Sequence, residues 1–431
     1  MIGKKNNTLY IDGCNAVKLA QEYGTPLYVY SESDIVGKCR EIRECFLNKY
    51  PNTRAAYASK AFSSLAMYKI IEREGLCLDV VSGGELYTAI KANFPAEKIE
   101  FNGNNKLFSE IELAVDYGIG RIIVDGLNEL DLIEQVCKRK KKKINILYRI
   151  TPEVESDSHD YIVTGKKDSK FGIPLDEDVI SYHIEKAIQS EYVNFLGFHF
   201  HVGSQLHDNT SHLAALETSL KLVEQCKKQY NYTIKELNVG GGFGIRYNDE
   251  DHKKPYPYFL EPIMARIEEF SQQIGIERPA VVIEPGRSIV GEAGTTLHTI
   301  GSIKNIKGIR KYVSIDGGMT DNIRPALYQA KYEGIMANKM GDSKTEKVTI
   351  CGKCCESGDI LIKDINIAHP EPGDIFAIFS TGAYGYSMAS NYNKNNIPAV
   401  VLVNKGKDYL IVKRQTYDDM IRNELIPDSL K

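Results

Sequence analysis

The chain reads as an α/β protein: a (β/α)8 barrel of the TIM type, joined to a C-terminal mainly β domain of barrel or sandwich form. Three observations predict this. Eight short β-branched runs alternate with helical patterns over residues 34–294. From residue 295 the texture changes to closely spaced strand-like runs with few helical ones. The polar, chemistry-bearing residues of the first part fall just after strand-like runs, where barrels place their sites.

Taken in order, the barrel strands are expected at Arg54–Ala58, Cys77–Val81, Lys98–Phe101, Arg121–Val124, Ile144–Ile150, Phe195–His201, Glu236–Val239 and Val281–Glu284. Each gap has room for a crossover helix, as in Leu107–Tyr117 and Leu213–Lys228. Continuously apolar strands alternating with helices suit a parallel sheet covered on both faces. An open doubly wound sheet is the alternative, but the one glycine-rich turn comes late in the chain. The second part carries strand candidates at Thr295–Ser302, Tyr312–Ile315, Lys347–Ile350, Ile375–Phe379, Ala399–Val403 and Tyr409–Lys413, with Ala383–Tyr392 as its main helix candidate. Leu27–Tyr30 precedes the first helix and is assigned to the β domain. The expected division is therefore 1–33 and 295–431 for the β domain and 34–294 for the barrel. Lys138–Lys143 is a run of six basic residues after the apolar pattern Leu130, Ile133, Val136, and reads as a solvated helix C-terminus. The long connection from Thr151 to Pro174 is a candidate functional loop.

A length of 431 residues allows a barrel plus a smaller module. A net charge of −3 gives no general field for nucleic acid or a membrane surface. The first ten residues lack an apolar stretch behind their lysines, and no apolar run approaches a membrane span, so a cytoplasmic protein is expected. Nine cysteines without a framework suit free thiols in a reducing compartment. Cys351 and Cys354 form a CxxC spacing with no second pair or histidine to complete a zinc set, so no metal is expected.

Five polar clusters share the C-terminal rim. Lys60 follows strand one in Tyr57-Ala58-Ser59-Lys60-Ala61. Asp79 ends strand two. His199 and His201 end strand six, before Gly203-Ser204-Gln205. Gly240-Gly241-Gly242-Phe243-Gly244 follows strand seven, and Glu284-Pro285-Gly286-Arg287 follows strand eight. A glycine run lets backbone N–H groups approach an anion. It equally suits a tight strand-to-helix turn. A lysine among apolar neighbours has a lowered pKa and can form an imine; an exposed strand-end lysine is the plain alternative. Pyridoxal 5'-phosphate needs such a lysine, a phosphate cradle and a partner for its ring nitrogen, a part that Glu284 fits. Glu284 could instead pair only with Arg287, and His201 could be a core histidine rather than a ring-stacking one.

These motifs resemble the alanine-racemase-like, fold-type III pyridoxal-phosphate enzymes, and within them the diaminopimelate decarboxylase family. The resemblance covers essentially the whole chain. It includes the Lys60 segment, Phe198-His199-Phe200-His201-Val202-Gly203-Ser204-Gln205, Glu284-Pro285-Gly286-Arg287, Arg324-Pro325-Ala326-Leu327-Tyr328, Cys355-Glu356-Ser357-Gly358-Asp359 and Gly382-Ala383-Tyr384, with Thr164-Gly165 and Ser169-Lys170-Phe171-Gly172. It implies that Lys60 is the imine-forming lysine and His201 stacks on the ring. It implies that Asp79, Ser204, Gly240, Gly241, Gly242, Glu284, Gly286, Arg287 and Tyr384 hold the cofactor. Substrate contacts would come from Arg287, Arg324, Tyr328, Glu356 and Tyr384. The family pattern also implies a homodimer with shared active sites, in which Cys355, the proton donor, and Glu356 come from the partner. Gly352-Lys353-Cys354-Cys355 departs from the family's Gly-Pro-x-Cys, which leaves Cys354 beside the matched Cys355.

The implied reaction is decarboxylation of meso-2,6-diaminopimelate, a small amino-acid substrate, to L-lysine. An arginine fork suits the distal carboxylate, and a substrate lacking one would leave Arg324 unpaired, at a cost of ~1–3 kcal/mol or more. Arg324 in a structural salt bridge is the bland alternative. Decarboxylation of another basic amino acid or a carboxy-polyamine, racemisation on the same fold, and non-catalytic pyridoxal-phosphate binding are the competing functions.

Overall fold

A computed structural model describes residues 2–152 and 169–431. Thr164-Gly165 and most of the Thr151–Pro174 connection lie outside the described residues. The chain forms two compact units. One comprises Met1–Ile35, Arg246–Glu250 and Val290–Lys431; the other comprises Val36–Ile245 and Asp251–Ile289.

The second unit is a closed parallel barrel. Its strands run Thr53–Ala58, Cys77–Val80, Ile99–Phe101, Arg121–Val124, Ile144–Arg149, Val193–His199, Glu236–Asn238 and Ala280–Ile283, alternating with helices. The register aligns Ala58 with Asp79, Asp79 with Glu100, and Glu100 with Arg121 around one side of the barrel. On the other side it aligns Arg149 with His199 and His199 with Asn238. Parallel neighbours in register share a face, so polar residues far apart in sequence become a lateral row.

The sixth strand ends two residues earlier than expected. A bulge between Phe195 and Gly197 shifts its register. A Cβ at Gly197 would sit 2.1 Å from the Glu236 carbonyl oxygen, so the bulge requires glycine. The chain leaves the ladder after His199, and His201 lies beyond the strand. The helix Leu127–Lys140 ends at Lys141, whose φ of 53° is left-handed. The basic run is more than a solvated helix end. Arg139 pairs with Glu112, Lys140 with Glu112 and Asp116, and Lys142 donates to the Val115 and Asp116 carbonyls.

The first unit is mainly β. Its large sheet runs, neighbour to neighbour, Ile360–Ile367, Glu346–Cys351, Arg310–Ile315, Gly294–Ile306, Leu27–Ser31, Ala399–Asn404 and Lys407–Val412. Ile375–Phe379 also pairs with Gly294–Ile306, and Gly334–Met336 pairs with Ile375–Phe379. Ile2–Lys5, Thr8–Ile11 and Cys14–Asn15 form a separate small sheet. Leu9, Ile11, Leu19, Leu27, Val29, Leu297, Ala377 and Val401 share one buried cluster. The helix expected over Ala383–Tyr392 does not form. Only single turns occur there, at Tyr386–Met388 and Tyr392–Lys394. Tyr384 is left-handed at φ 59°. A Cβ at Gly382 would lie 1.9 Å from the Val290 carbonyl oxygen, so the segment is held against backbone rather than coiled.

Among the described residues no helix is long and apolar enough to cross a membrane. All nine cysteines are free thiols.

Candidate active site

Lys60 sits in the single turn Ser59–Ala61 directly after the first barrel strand. The end of the last strand is packed against this point. Ala58 N–H donates to the Pro285 carbonyl at 3.2 Å, and a Cβ on Gly286 would lie 2.9 Å from that of Ala58. Beside Lys60, Ser59 Oγ donates to Glu85 at 2.6 Å. Lys60 is half-buried, and its charge acts on Asp79, Glu284, His199 and His201.

Glu284 lies at the centre of a buried polar network. Its Oε1 accepts from Asn102 Nδ2 at 3.0 Å and Asn238 Nδ2 at 2.9 Å, and His199 Nε2 lies 2.9 Å away. Asn102 also donates to Asp79 Oδ1 at 2.7 Å, and Asn238 to Glu100 Oε1 at 3.2 Å. Asp79, Glu100 and Glu284 offer oxygens within 4.8 Å of one another. So many carboxylates in a buried site cannot all be ionised. Burial, then the charge of Glu284, pushes Asp79 and Glu100 well above the carboxylate range. Burial also opposes the charge of Glu284, but His199 and then Lys60 outweigh it and hold that carboxyl well below its ordinary range. Glu284 is therefore the anion of the trio. His199 is pushed down by burial, with Glu284 opposing. Below this network Arg121 meets Glu236 at 3.2 Å and Glu100 at 3.8 Å, and Arg54 also pairs with Glu236.

The glycine run is not a strand-to-helix turn, because the next helix begins only at Tyr256. It is wedged between neighbouring backbones. A Cβ would lie 2.4 Å from the Phe200 carbonyl oxygen at Gly240, 2.1 Å from that of Glu284 at Gly241, and 2.4 Å from that of Gly203 at Gly242. Gly240 and Gly242 are also left-handed, at φ 69° and 92°. Gly241 N–H points to His201 Nδ1 at 3.4 Å. Burial and then Lys60 push His201 well below the usual histidine range, so its ring is neutral. Arg287 is buried and donates through Nη2 to Ser204 Oγ at 2.9 Å. Behind the turn His212, fully buried, has Nε2 2.8 Å from the Gly241 carbonyl oxygen and stacks on Phe243.

In the other unit, Arg324 is buried at the start of the short helix Arg324–Tyr328. Its Nη1 donates to Tyr247 Oη and Tyr332 Oη, both at 2.7 Å. The guanidinium lies 5.0 Å from the Tyr247 ring centre and 5.8 Å from that of Tyr328. Arg324 pairs with no carboxylate among the described residues; its polar partners there are the two tyrosine hydroxyls. Burial alone would weaken its charge, but the tyrosines Tyr247 and Tyr332 outweigh it and raise its pKa further. Cys354 is buried, with Thr320 Oγ1 at 4.0 Å and Asn395 Nδ2 at 3.7 Å. Burial, then Asp359, pushes its thiol up. Cys355 and Glu356 are exposed, and Cys355 N–H donates to Asn393 Oδ1 at 2.7 Å. Asp359 fixes their loop, accepting from Met319 N–H at 2.7 Å and Cys354 N–H at 2.9 Å. Tyr384 is half-buried, and its left-handed backbone is costly for a side chain with a Cβ.

The barrel unit thus brings Lys60, Asp79, His201, Ser204, Gly240, Gly241, Gly242, Glu284, Gly286 and Arg287 to one rim. It adds His199, Asn102, Asn238 and Glu100, whose network the sequence reading did not assemble. The donor set fits a phosphorylated pyridine aldehyde: an amine, an ionised carboxylate, a neutral imidazole, and a buried guanidinium beside a glycine turn.

These features define a barrel enzyme of the pyridoxal-phosphate class. Residues 32–291 match the family model described as pyridoxal-dependent decarboxylase, pyridoxal binding domain, and the chain belongs to the pyridoxal-dependent decarboxylase family. It is 49% identical to the diaminopimelate decarboxylase of Bacillus subtilis (strain 168) over 417 residues, covering 97% of this chain and 95% of that protein. It is 42% identical to the diaminopimelate decarboxylase of Staphylococcus aureus (strain COL), covering 97% and 98%. The solved diaminopimelate decarboxylase of M. jannaschii, in complex with L-lysine, superposes with a TM-score of 0.94 at 36% identity, covering 100% of this chain and 99% of that one.

Proposed function

We propose that this chain decarboxylates meso-2,6-diaminopimelate to L-lysine and CO₂, with pyridoxal 5'-phosphate anchored on Lys60. The observation that carries the choice of substrate is Arg324. Both hydrogens of its Nη1 are directed to tyrosine hydroxyls, and the Nη2–Nε edge keeps the fork that matches a carboxylate. A diamine-forming decarboxylase has no distal carboxylate to place there.

Bound pyridoxal phosphate supplies the sink for the electron pair released when the substrate's carbon–carboxylate bond breaks. Arg287, Ser204 and the turn Gly240–Gly242 bind the phosphate. Glu284, held low, would keep a proton on the ring nitrogen. His201 would stack on the ring, and its depressed pKa disfavours a second cation beside Lys60. Asp79 supports the network that orients Glu284. Arg324, with Tyr328, binds the distal carboxylate, and Glu356 pairs with the distal ammonium. Cys355 Sγ–H donates the proton that replaces the lost carboxylate; its exposure, against the burial of Cys354, supports this choice. Tyr384 and Arg287 complete the contacts to cofactor and substrate. In this reading the chain works as a homodimer, with Cys355 and Glu356 of one copy serving the site of the other. The exposure of both side chains supports this. Nine free thiols support a cytoplasmic location.

The test combines borohydride reduction of the pyridoxal-phosphate-loaded protein with a lysine assay. The expected result is a covalent adduct mapped to Lys60 and lysine formed from meso-2,6-diaminopimelate but not diamines from ornithine or lysine. An unmodified Lys60, or diamine formation at comparable rates, refutes it.

A further inference from the structure

The carboxylate assigned to the cofactor's ring nitrogen and the turn assigned to its phosphate meet at one side chain. Asn238 is the last residue of the strand Glu236–Asn238 and is fully buried. Its Oδ1 accepts from Gly240 N–H at 2.9 Å. Its Nδ2 donates to Glu284 Oε1 at 2.9 Å and Glu100 Oε1 at 3.2 Å. We propose that Asn238 is a positioning residue that ties the ring-nitrogen carboxylate to the phosphate turn through a single amide, so that the two ends of the cofactor site hold a fixed separation. The inference rests on the functional reading above and adds to it a residue that touches neither substrate nor cofactor.

The chemistry of the position calls for an amide. A carboxylate offers acceptors alone, and an aliphatic side chain offers nothing. An amide serves the donor at Gly240 and the acceptor at Glu284 at once. Asn102 provides an internal contrast. It also donates to Glu284 Oε1, at 3.0 Å, but its other bond goes to Asp79 rather than to the turn. Three groups converge on Oε1 of Glu284, and of these three side chains Asn238 is the one that also bonds the glycine run; the backbone adds a second tie, from Glu284 N–H to the Gly240 carbonyl at 2.8 Å, which the side-chain variants leave in place. Glu100 completes the arrangement as a fully buried acid that shares the Asn238 amide with Glu284.

The test compares Asn238→Ala, Asn238→Asp and Asn102→Ala, each loaded with pyridoxal phosphate. The visible absorbance band and its pH dependence report the ring end. The phosphorus-31 resonance of the bound cofactor reports the phosphate end. Asn238→Ala is expected to displace both signals and weaken cofactor affinity by roughly 10- to 100-fold, the factor of one hydrogen bond to a charged group. Asn238→Asp keeps an acceptor for Gly240 and puts a carboxyl in place of the amide donor beside Glu284, so the band moves and the phosphorus signal stays. Asn102→Ala moves the band alone. An Asn238→Ala protein with either signal unmoved overturns the proposal. So does Asn238→Asp with a displaced phosphorus signal, and that variant decides the matter if the alanine protein does not fold. Wild-type protein with no bound-cofactor band at all would instead refute the functional reading.

Discussion

Replacing Arg324 with methionine keeps most of the side-chain length and removes the guanidinium. In the proposed substrate complex the Nη2–Nε edge would make two charge-assisted hydrogen bonds, each worth ~1.5–3 kcal/mol. Water entering the variant pocket recovers part of that, which leaves a loss of about 3 kcal/mol, or roughly 150-fold in kcat/KM. The fold both loses and gains. The hydroxyls of Tyr247 and Tyr332 each lose one charge-assisted donor at 2.7 Å, ~1.5–3 kcal/mol apiece, and removing the desolvation cost of a buried guanidinium offsets part of that. The variant therefore folds, and steady-state kinetics on meso-2,6-diaminopimelate can be read beside a pyridoxal-phosphate titration. Arg324→Lys should recover little, because a lysine keeps the charge but not the planar fork. The reasoning fails if cofactor affinity falls by the same factor as kcat/KM, or if L-lysine, which retains the distal carboxylate, inhibits the methionine variant as well as it does the parent.

Cys355→Ala should lower kcat by ~100-fold or more with little change in KM, as expected for a lost proton donor. Cys354→Ala should stay within a few-fold of the parent, and the opposite ranking in stopped-flow turnover would reassign the donor. Glu284→Gln keeps an oxygen for Asn102, Asn238 and His199 and removes the charge, so it should fold normally while the cofactor's absorbance band moves. Glu284→Ala takes one of two acceptors from Asn102 and from Asn238 and the facing oxygen from His199, and should lose several kcal/mol in urea denaturation, at ~1–3 kcal/mol for each buried N–H left unmet. Equal stability of the two variants contradicts the network. Burial pushes the Asp321 carboxyl up to about 8 and the His298 ring, 3.6 Å away, down to about 3. The folded state keeps a proton on Asp321 that the unfolded chain releases near the ordinary aspartate value of 3.8. That contribution to stability is full below the unfolded pKa and is lost as pH rises through 8. His298 has the opposite sense, and its contribution is lost as pH falls from 6.5 toward 3. Asp321→Asn should therefore remove the fall in stability between pH 6.5 and 8, where Asp321 alone of the pair titrates, and leave the His298 rise unopposed below pH 6.5; an unchanged slope of urea midpoints over pH 6.5–8 refutes the assignment.

The barrel was legible because its strands are short apolar runs with a helix in each gap, and periodicity within a segment is a local signal. The rim residues were legible for a related reason: strand ends are where a sequence pattern switches, and Lys60, the glycine run and Glu284 stand at such switches. What failed was also local in cause. The expected helix over Ala383–Tyr392 has only Ala383, Met388 and Ala389 as strong helix formers, and in addition Gly382 is pressed against Val290 and Tyr384 is left-handed, two constraints that no propensity carries. The strand Ile360–Ile367 escaped notice because Lys363 and Asp364 interrupt its apolar alternation, with Asp364 left-handed at φ 57°. Tyr247 and Tyr332 could not be joined to Arg324 from the sequence, since Tyr247 is 77 residues away.

The interior of the barrel makes the same point about charge. Read singly, Asp79, Glu100, Arg121 and Glu236 look like acids and bases scattered among apolar strands. The register sets Asp79 beside Glu100 and Glu100 beside Arg121, and it sets His199 beside Asn238. Once the strands close, the charge state of each group is decided by the others. Arg121 and Arg54 meet Glu236 low in the barrel, burial and Glu284 push Asp79 and Glu100 up, and of that trio Glu284 is the carboxyl held low. An ionised carboxylate at that place is what a pyridinium needs. It follows from strand register rather than from any one residue, so replacing a neutral neighbour with a charged one should disturb the site as surely as replacing Glu284 itself.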